Sequence, residues 1–359
     1  MRSAETRCFP QGGYCFRVDG LEGSTSVRRM AKSSPLPVTP NPSPEAVALL
    51  QFIAEISGKK TLTGQHCAPL HGSTRLVVVQ RQTGEYPALF GQDFGFDGPG
   101  CWDGINFRQN IVDEAIRRHS EGFIISLMWH AVRPIEEEPA SFEDSIQGKM
   151  TAEQWQDMIT PGTRTHERWK SQVDVIAWFL RQLRDAGVPV LWRPYHEMNG
   201  DWFWWGKKLG ESGYKKLYRM LFERLAVLHA LNNLLWVYNA NEINVNVDPY
   251  ADFYPGEDVV DILATDVYRM GFAEADYETL SALAAGKPIA LGEVGRVPTP
   301  ELLAQQPRWA WFMVWNDTSS LSDELAPFRA TYSSERTLSH GDLPWNEPRK
   351  PRMHYPIIK

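Results

Sequence analysis

Strand-like and helix-like segments alternate through most of this 359-residue chain. Eight short runs rich in Val, Ile, Leu and Trp predict buried strands, and amphipathic helical patterns lie between most of them. Strands joined by helical crossovers pair in parallel and are covered on both faces. Eight such units close a barrel, so we predict an α/β fold of the (β/α)8 TIM-barrel type. The predicted strands are residues 61–65, 88–92, 123–129, 188–193, 234–239, 262–267, 288–293 and 310–315.

The chain divides into an irregular arm and one barrel domain. Residues 1–43 lack periodicity and end in SSPLPVTPNPSP, which predicts a mostly disordered arm or linker. The barrel domain is predicted to span residues 44–359 and to carry long loops after its strands. The longest, at 133–165, is of a length that shapes a cleft or lid. Helices are predicted at 44–58, 106–120, 167–186, 213–231, 277–285 and 321–330.

The charge and composition of the chain argue against some classes of binding partner. The chain has 37 basic and 44 acidic residues, and a net charge of −7 argues against nucleic acid or an anionic membrane as partner. It contains no apolar run of 18 residues, as a membrane helix would need, and no apolar signal-peptide core near its start. The four cysteines have no metal-type spacing. Cys8 and Cys15 could pair only in an oxidising compartment, so localisation stays open.

Polar residues follow the predicted strands at their carboxyl ends. In a barrel these ends share one rim, where the chemistry of such folds is located, so we expect the side chains to converge. All are groups that hold or hydrolyse carbohydrate. They are Gln65, His66, Asp93, Trp129, His130, Arg193, His196, Glu197, Asn239, Asn241, Asp266, Tyr268, Glu293, Trp315 and Asn316.

The stretch VLWRPYHEMNGDWFWWG, residues 190–206, begins as a buried strand and ends in four successive aromatics. It places Glu197 at the rim, close to Trp202. We expect the aromatics of residues 202–205 to form an exposed cluster, because four in a row cannot all point inward from a short loop. Flat apolar rings beside an acid suit a sugar, whose C–H face stacks on aromatics.

Two carboxylates are candidates for glycosidic bond cleavage, which needs a proton donor and a second carboxylate on the other face of the sugar. Glu197 and Glu293 end the fourth and seventh predicted strands and can face each other across the mouth. Glu293 lies in the buried run IALGEVG, so it needs donors, for which we nominate Tyr268 and Arg193. Glu197, among aromatics, fits the acid, and Glu293 fits the nucleophile. These arguments alone leave the reverse assignment open.

Several segments together resemble glycoside hydrolase family 26. The resemblance lies in residues 158–206, above all RPYHEMNGDWFWWG, and continues in SLMWH, LLWVYNAN, ATDVY, GEVG and LSHGDLP, covering about residues 45–345. It implies a single catalytic (β/α)8 domain with Glu197 as acid/base and Glu293 as nucleophile. The resemblance also implies substrate contacts by His130, Arg193, His196, Trp202, Asp266, Tyr268 and Trp315.

The best-known members of that family are endo-β-1,4-mannanases. The resemblance therefore implies retaining hydrolysis of β-mannan, a polysaccharide partner, no cofactor or metal, and a monomer. It also implies a secreted protein, which the lack of a signal sequence puts in doubt. Mixed-linkage β-glucan and β-xylan stay open as substrates, and endo action is an inference.

Two other classes compete with this interpretation. A zinc helix of HExxH type would need His at position 200, where the chain has Gly200, although His130 and His196 could still pair on a metal. A non-catalytic carbohydrate-binding barrel would keep the tryptophans but would not need both glutamates. The presence of Glu197 and Glu293 argues against it.

Overall fold

The computed structural model describes residues 34–269, 271–315 and 325–346, together with the backbone of two short strands, β1 (Thr6–Cys8) and β2 (Cys15–Arg17). These two strands pair antiparallel, with Cys8 opposite Cys15. For the rest of residues 1–33, the predicted disordered arm lies outside the described residues.

Eight parallel strands close the predicted barrel. They pair in chain order, and the last strand pairs with the first through Trp311 opposite Leu62. The strands are β3 (Thr61–His66), β4 (Leu89–Asp93), β5 (Ile124–Trp129), β6 (Val190–Pro194), β7 (Leu234–Asn241), β8 (Ile262–Val267), β9 (Ile289–Val294) and β10 (Trp309–Val314). A further two-residue strand, β11 (Thr337–Leu338), runs parallel to the start of β3.

Helices follow most of the strands. They are α1 (Pro44–Ile56), α2 (Thr74–Thr83), α3 (Arg108–Ser120), α4 (Ala152–Met158), α5 (Arg164–Asp185), α6 (Tyr214–Phe222), α7 (Tyr250–Phe253), α8 (Glu274–Leu283), α9 (Pro300–Gln305) and α10 (Leu325–Tyr332). The predicted helix at 213–231 is not uniform, because α6 passes into π-helical turns at Glu223–Leu228. The first part of the helix predicted at 321–330 lies outside the described residues. No helix among the described residues combines the length and apolar character that a membrane crossing requires.

Side chains of the strands alternate between the barrel interior and the surrounding helices, as the pleat requires. Leu191, Leu235 and Ala290 point inward and form one buried cluster with the apolar face of α1. Trp192 and Trp236 point outward into the larger cluster beneath the other helices. The α1 helix therefore covers the amino-terminal end of the barrel and leaves the carboxyl end open.

The residues just before α1 already form hydrogen bonds with the barrel. The backbone N–H of Val38 donates to Asp261 at 2.8 Å, and the Thr39 hydroxyl donates to the Leu234 carbonyl at 2.9 Å. Ser43 caps α1 by accepting the N–H of Ala46 at 3.1 Å. The last residues of the segment predicted as an arm thus contact the domain.

Candidate active site

The loop after β6 carries Glu197 in a strained backbone. Tyr195 and Glu197 have φ values of 49° and 53°, a left-handed conformation that costs energy for residues other than glycine. Two hydrogen bonds hold the loop in this backbone conformation. The Glu197 N–H donates to the Asn239 carbonyl at 2.8 Å, and the Trp205 indole donates to the His196 carbonyl at 2.7 Å. The strain directs the carboxylate into the mouth of the barrel.

Trp202 is the one aromatic of residues 202–205 that keeps part of its ring in solvent. Its indole nitrogen donates to Oε2 of Glu197 at 2.5 Å. A Cβ on residue 200 would lie 2.1 Å from the Trp202 ring, so only glycine leaves room for it. Gly200, which excluded the zinc motif, is thus required for Trp202 to reach Glu197.

The prediction of an exposed cluster at residues 202–205 is wrong for three of its members. Phe203, Trp204 and Trp205 are 5%, 1% and 0% exposed. They stack against one another, with Phe203 and Trp205 centroids 4.6 Å apart, and Trp204 donates its indole hydrogen to the Ala131 carbonyl. The loop buries them because Phe203 packs on His130 and His196, while Trp204 packs on Trp155 of α4. Their role is to support the loop.

The surroundings of Glu197 raise the pKa of its carboxyl group, as a proton donor requires. Burial and the nearby charge of Glu293 raise the pKa of Glu197 to about 8, against the smaller opposing effects of the Trp202 hydrogen bond and the charges of His130 and Arg193. The side chain is 9% exposed, so it faces the cleft without being solvated. A proton is therefore held on Glu197 near neutral pH.

Glu293 reaches the barrel interior through a β-bulge. In regular register its side chain would share the outward face of Leu291. The pairing of β8 with β9 instead shifts by one residue, from Thr265 opposite Leu291 to Asp266 opposite Glu293. The extra residue is Gly292, and the bulge turns Glu293 into the mouth beside Asp266.

Arg193 and Tyr268 are the donors to Glu293, as predicted from the sequence. A guanidinium nitrogen of Arg193 lies 2.6 Å from Oε1, and the Tyr268 hydroxyl lies 2.6 Å from Oε2. Arg193 is itself aligned by the Gly292 carbonyl at 2.6 Å and by Oδ1 of Asn239 at 3.1 Å. Each carboxylate oxygen of Glu293 therefore accepts a hydrogen bond, and the one from Arg193 is charge-assisted.

Glu242 positions Tyr268 and was missed by the sequence analysis. It is 1% exposed and accepts the backbone N–H groups of Tyr268 and Arg269 at 3.1 and 2.6 Å. Burial and the charge of Glu293 raise the pKa of the Tyr268 phenol well above its ordinary value, so the hydroxyl stays a donor. Glu242 directly follows β7, the fifth barrel strand, which ends in the run NAN. Its position at a strand end was the signal that the sequence offered.

His130 is fixed by Asp93 at the ends of β5 and β4. Its Nδ1 lies 2.9 Å from one carboxylate oxygen, and its backbone N–H donates to the other at 3.0 Å. Burial would lower the pKa of His130, but the charge and hydrogen bond of Asp93 outweigh it and raise the value. The pairing with Asp93 therefore favours the protonated, positively charged form of His130.

His196 and Asp266 lie on either side of Glu293. His196 Nε2 is 3.8 Å from Oε1 of Glu293, and burial together with the His130 and Arg193 charges lowers its pKa well below the ordinary value. Burial and the charge of Glu293 raise the pKa of Asp266 well above its ordinary value. Burial therefore favours the neutral form of both side chains.

These three side chains also have the spacing of a metal site, since their ligand atoms lie within 4.8 Å of one another. Arg193, however, stands 2.6 Å from Glu293 and 3.8 Å from Asp266. The guanidinium charge of Arg193 therefore already balances the carboxylate oxygens that a metal ion would need. These three side chains are therefore better suited to binding the Arg193 guanidinium than to binding a metal ion.

Trp315 lies at the end of β10 and is partly exposed. Its ring stacks on His66 with centroids 4.0 Å apart and an interplanar angle of 23°. Arg75 donates to the Trp315 carbonyl at 3.0 Å and so fixes its backbone. Trp315 and Trp202 are the two tryptophans among the predicted site residues, and each offers a ring to the cleft.

The nine predicted site residues all lie at the mouth, whereas other rim residues have structural roles. Gln65 donates to the carbonyls of His66 and Val314, and Trp129 is 1% exposed. Asn241 bonds to the Glu242 carbonyl and to Asn199. Asn316 lies outside the described residues.

The long segment after β5 contacts the mouth through Phe142, which begins a short π-helix, Phe142–Ile146. The Phe142 ring lies 5.7 Å from His130 and 6.1 Å from Phe203. The backbone N–H of Trp204 donates to the Ile146 carbonyl at 3.0 Å. The segment therefore forms one wall beside the loop of Glu197.

A family model described as glycosyl hydrolase family 26 matches residues 38–341. A curated relative named mannan endo-1,4-beta-mannosidase, from Thermothelomyces thermophilus, is 38% identical over 292 residues, which are 77% of this chain and 57% of the relative. A relative of the same name from Bacillus subtilis is 28% identical over 86% of this chain and 89% of its own length. The chain spans about half the length of the first curated relatives it matches.

Solved structures agree with the observed fold. GH26A from Muricauda sp. is 43% identical with a TM-score of 0.81, covering 85% of this chain and 99% of that one. A β-mannanase from a symbiotic protist of the termite Reticulitermes speratus, complexed with gluco-manno-oligosaccharide, is 31% identical with a TM-score of 0.75. That match covers 86% of this chain and 97% of the other.

Proposed function

Because the chain belongs to glycosyl hydrolase family 26, we propose that it hydrolyses internal β-1,4 linkages of mannan-type polysaccharides with retention of configuration. The observation that carries the proposal is a pair of buried carboxyl groups with opposite surroundings. Glu197 holds its proton, with a pKa of about 8, while Glu293 accepts hydrogen bonds from Arg193 and Tyr268. One acid and one carboxylate are what double displacement requires.

In the first step, an ionised oxygen of Glu293 attacks the anomeric carbon while Glu197 gives its proton to the departing glycosidic oxygen. A glycosyl ester of Glu293 forms and the leaving sugar departs. Glu197 is then a carboxylate, and it removes a proton from the water that hydrolyses the ester. The enzyme returns to its starting protonation state, and the product keeps its anomeric configuration.

The surrounding residues have separate tasks in this proposal. Arg193 and Tyr268 orient Glu293, and Trp202 fixes Glu197 and offers its ring to the sugar on the leaving side. Trp315 stacks against the sugar that is attacked. His130 and His196 hold the hydroxyl groups of that sugar, and the fully buried Asp266 orients the groups around Glu293.

Mannan is the proposed substrate because the similar curated proteins cited above carry the mannosidase name and cover most of this chain. The stereochemical distinction from glucan is a single axial 2-hydroxyl. The rings of His130 and His196 lie close together, with centroids 4.7 Å apart, and offer polar nitrogen atoms to such a hydroxyl.

The test is hydrolysis of galactomannan, glucomannan, lichenan and xylan, with the anomer of the first product followed by NMR. We expect mannan and glucomannan to be cleaved and the β-anomer to appear first. An initial α-anomer would contradict retention, and cleavage of lichenan or xylan without mannan would contradict the substrate.

The two roles are tested with Glu197→Ala. This variant should lose most activity on polysaccharide but keep the first step on aryl glycosides with good leaving groups, which need no proton. Glu293→Ala is the matched control and should lose both. Equal losses on both substrates in Glu197→Ala would remove its assignment as the acid.

A further inference from the structure

The acidic run EEE, residues 136–138, lies in the long segment after β5, and two of its glutamates pair with arginines of different helices. Glu137 pairs with Arg168 on α5 at 2.7 Å, and its side chain is 78% exposed. Glu138 pairs with Arg108, the first residue of α3, at 2.6 Å, and its side chain is 18% exposed. The second pair is therefore largely shielded from water, whereas the first is not.

The guanidinium of Arg108 joins the segments that follow two adjacent barrel strands. On one side it donates to the carbonyls of Phe94 and Gly95, directly after β4, at 2.9 and 2.7 Å. On the other side it donates to both carboxylate oxygens of Glu138, at 2.6 and 2.7 Å. Because a planar guanidinium binds a carboxylate in a fixed orientation, these bonds set both the distance and the angle between the two segments.

The same two segments meet again closer to the mouth of the barrel. The backbone N–H of Ala140 donates to the Phe96 carbonyl at 3.0 Å, and the Phe142 ring lies 5.7 Å from the Phe96 ring. The centroids of these two phenyl rings lie 6.1 Å (Phe96) and 5.7 Å (Phe142) from that of His130, each with an interplanar angle of 69°. One phenyl ring from each segment therefore packs against the same imidazole.

His130 is the residue through which this arrangement can reach the substrate. Asp93 holds one edge of its ring through Nδ1 at 2.9 Å, but a hydrogen bond at one atom leaves the ring free to tilt about that atom. The rings of Phe96 and Phe142, together with Phe203 at 5.4 Å, block this tilt. The orientation of Nε2 therefore depends on where the two segments are held.

Stability alone is a weak explanation for the pair of Arg108 and Glu138. Taking two charges out of water costs about as much as their attraction returns, so apolar side chains of similar volume would pack as well. A bidentate pair supplies a defined geometry, which apolar packing does not. The place of this pair between two segments that contact His130 is better explained by a role in orientation.

We propose that Arg108 and Glu138 are positioning residues that act on the substrate through His130. Their ion pair holds the segment after β5 against the segment after β4. The rings of Phe96 and Phe142 then fix the tilt of the imidazole, and Nε2 is presented to a hydroxyl group of the attacked sugar. This inference rests on the proposed function, in which His130 binds that hydroxyl group.

The matched variants are Glu138→Ala and Glu137→Ala, which are neighbours in one run and each lose an ion pair with an arginine. The first measurement is the NMR spectrum of the imidazole nitrogens in protein that is isotope-labelled at histidine. The His130 signals are those missing from His130→Ala. We expect Glu138→Ala to shift or broaden them and Glu137→Ala to leave them in place. Glu138→Gln keeps an oxygen that accepts from Arg108 and should restore most of the wild-type spectrum.

The second measurement is kcat/KM on mannan. Glu138→Ala should lower it roughly 10–100-fold, because a small displacement of a group that binds the sugar is costly, while Glu137→Ala should leave it unchanged. Since the effect passes through His130, adding Glu138→Ala to His130→Ala should cause little further loss. Thermal midpoints verify that each variant is folded under the assay conditions.

Phe142→Leu is a second variant on the same route. It removes one of the two phenyl rings and keeps the ion pair, so it should also move the His130 signals. This variant decides the question if Glu138→Ala does not fold. Signals that stay in place in Phe142→Leu would show that the ring does not fix the imidazole, and the positioning role would fail.

Unchanged His130 signals in Glu138→Ala, or equal changes in Glu137→Ala, would also overturn the positioning role. The same holds for a full additional loss of kcat/KM in the double variant, because Glu138 would then affect activity by another route. If the wild-type protein cleaved no β-linked chain, the proposed function would be contradicted instead. The NMR spectra do not require turnover and would still decide whether the ion pair orients the ring.

Discussion

The indole nitrogen of Trp202 lies 2.5 Å from Oε2 of Glu197, so the ring at the edge of the cleft is also a hydrogen-bond donor to the acid. A donor to a carboxylate favours its ionised form, which opposes the effect of burial on Glu197. Trp202 thus has two separable properties, a flat surface and an N–H group.

Replacing Trp202 with Phe keeps the flat surface and removes the donor. The pKa of Glu197 should then rise by roughly 0.5–1 unit, because the ionised form loses a hydrogen bond while the protonated form does not. We expect the alkaline limb of the kcat/KM profile to move to higher pH by that amount. Trp202→Ala should show the same shift with a larger loss of kcat/KM. A limb that stays in place, or moves to lower pH, would show that the indole donor has no net effect.

Glu197 should lower the stability of the protein at alkaline pH. Its folded pKa of about 8 lies above the ordinary value of 4.5 for a glutamic acid, so the folded state binds the proton more tightly. The contribution of Glu197 to stability is therefore fully present below pH 4.5 and is lost as pH rises through 8. Glu197→Gln stays neutral, so its thermal midpoint should exceed that of the wild type at pH 9 by ~3–10 °C and match it near pH 5. Calorimetry at both pH values measures this, and a gain of equal size at pH 5 would contradict the explanation.

Glu242 acts on the reaction through Tyr268. Glu242→Ala leaves the N–H groups of Tyr268 and Arg269 without their acceptor and should reduce kcat/KM about 10–100-fold, with KM changing less than kcat. Glu242→Gln keeps an acceptor and should recover most of the activity. Tyr268→Phe should cost a similar factor, and the double variant should lose no more than the larger single loss. Additive losses would mean that Glu242 does not act by placing the phenol.

The barrel could be predicted from the sequence because its signals are local. Alternation of apolar strands with amphipathic helices needs only a window of residues, and each predicted barrel strand overlaps an observed one. Residues 202–205 show the limit. The run of four aromatics in a short loop suggested an exposed cluster, whereas the loop folds back and buries Phe203, Trp204 and Trp205. Which face a loop residue presents depends on packing between distant segments.

The candidate site divides in the same way. Positions at strand ends, and the resemblance to a known family, were enough to nominate Glu197, Glu293, Arg193 and Tyr268. Glu242 also follows a barrel strand, but its partners are backbone N–H groups about 26 residues away, which leave no pattern of residue types. The bulge at Gly292 also escaped prediction. Simple alternation from Leu291 would have placed the Glu293 side chain outside the barrel.

Gly292 is the residue on which the direction of Glu293 depends. A Cβ at this position would lie 1.8 Å from Oδ1 of Asn239 and 2.7 Å from Oδ1 of Asp266. Gly292→Ala must displace Asn239, which aligns Arg193, so we expect kcat/KM to fall at least about 100-fold and unfolding to become ~1–3 kcal/mol easier. Activity assays and denaturant unfolding measure the two effects.

Two variants separate the steric effect of Gly292→Ala from a general glycine effect. Gly341→Ala, whose added Cβ would meet only Glu85 at 3.9 Å, should leave activity unchanged. In the double variant Gly292→Ala with Asn239→Ala, the clash with the amide is gone, but Arg193 has lost that partner. Stability should then recover in part while activity stays low. Recovery of both stability and activity would mean that Asn239 is not needed to hold Arg193 against Glu293. Recovery of neither would mean that the clash is with another residue, and Oδ1 of Asp266 is the nearest candidate.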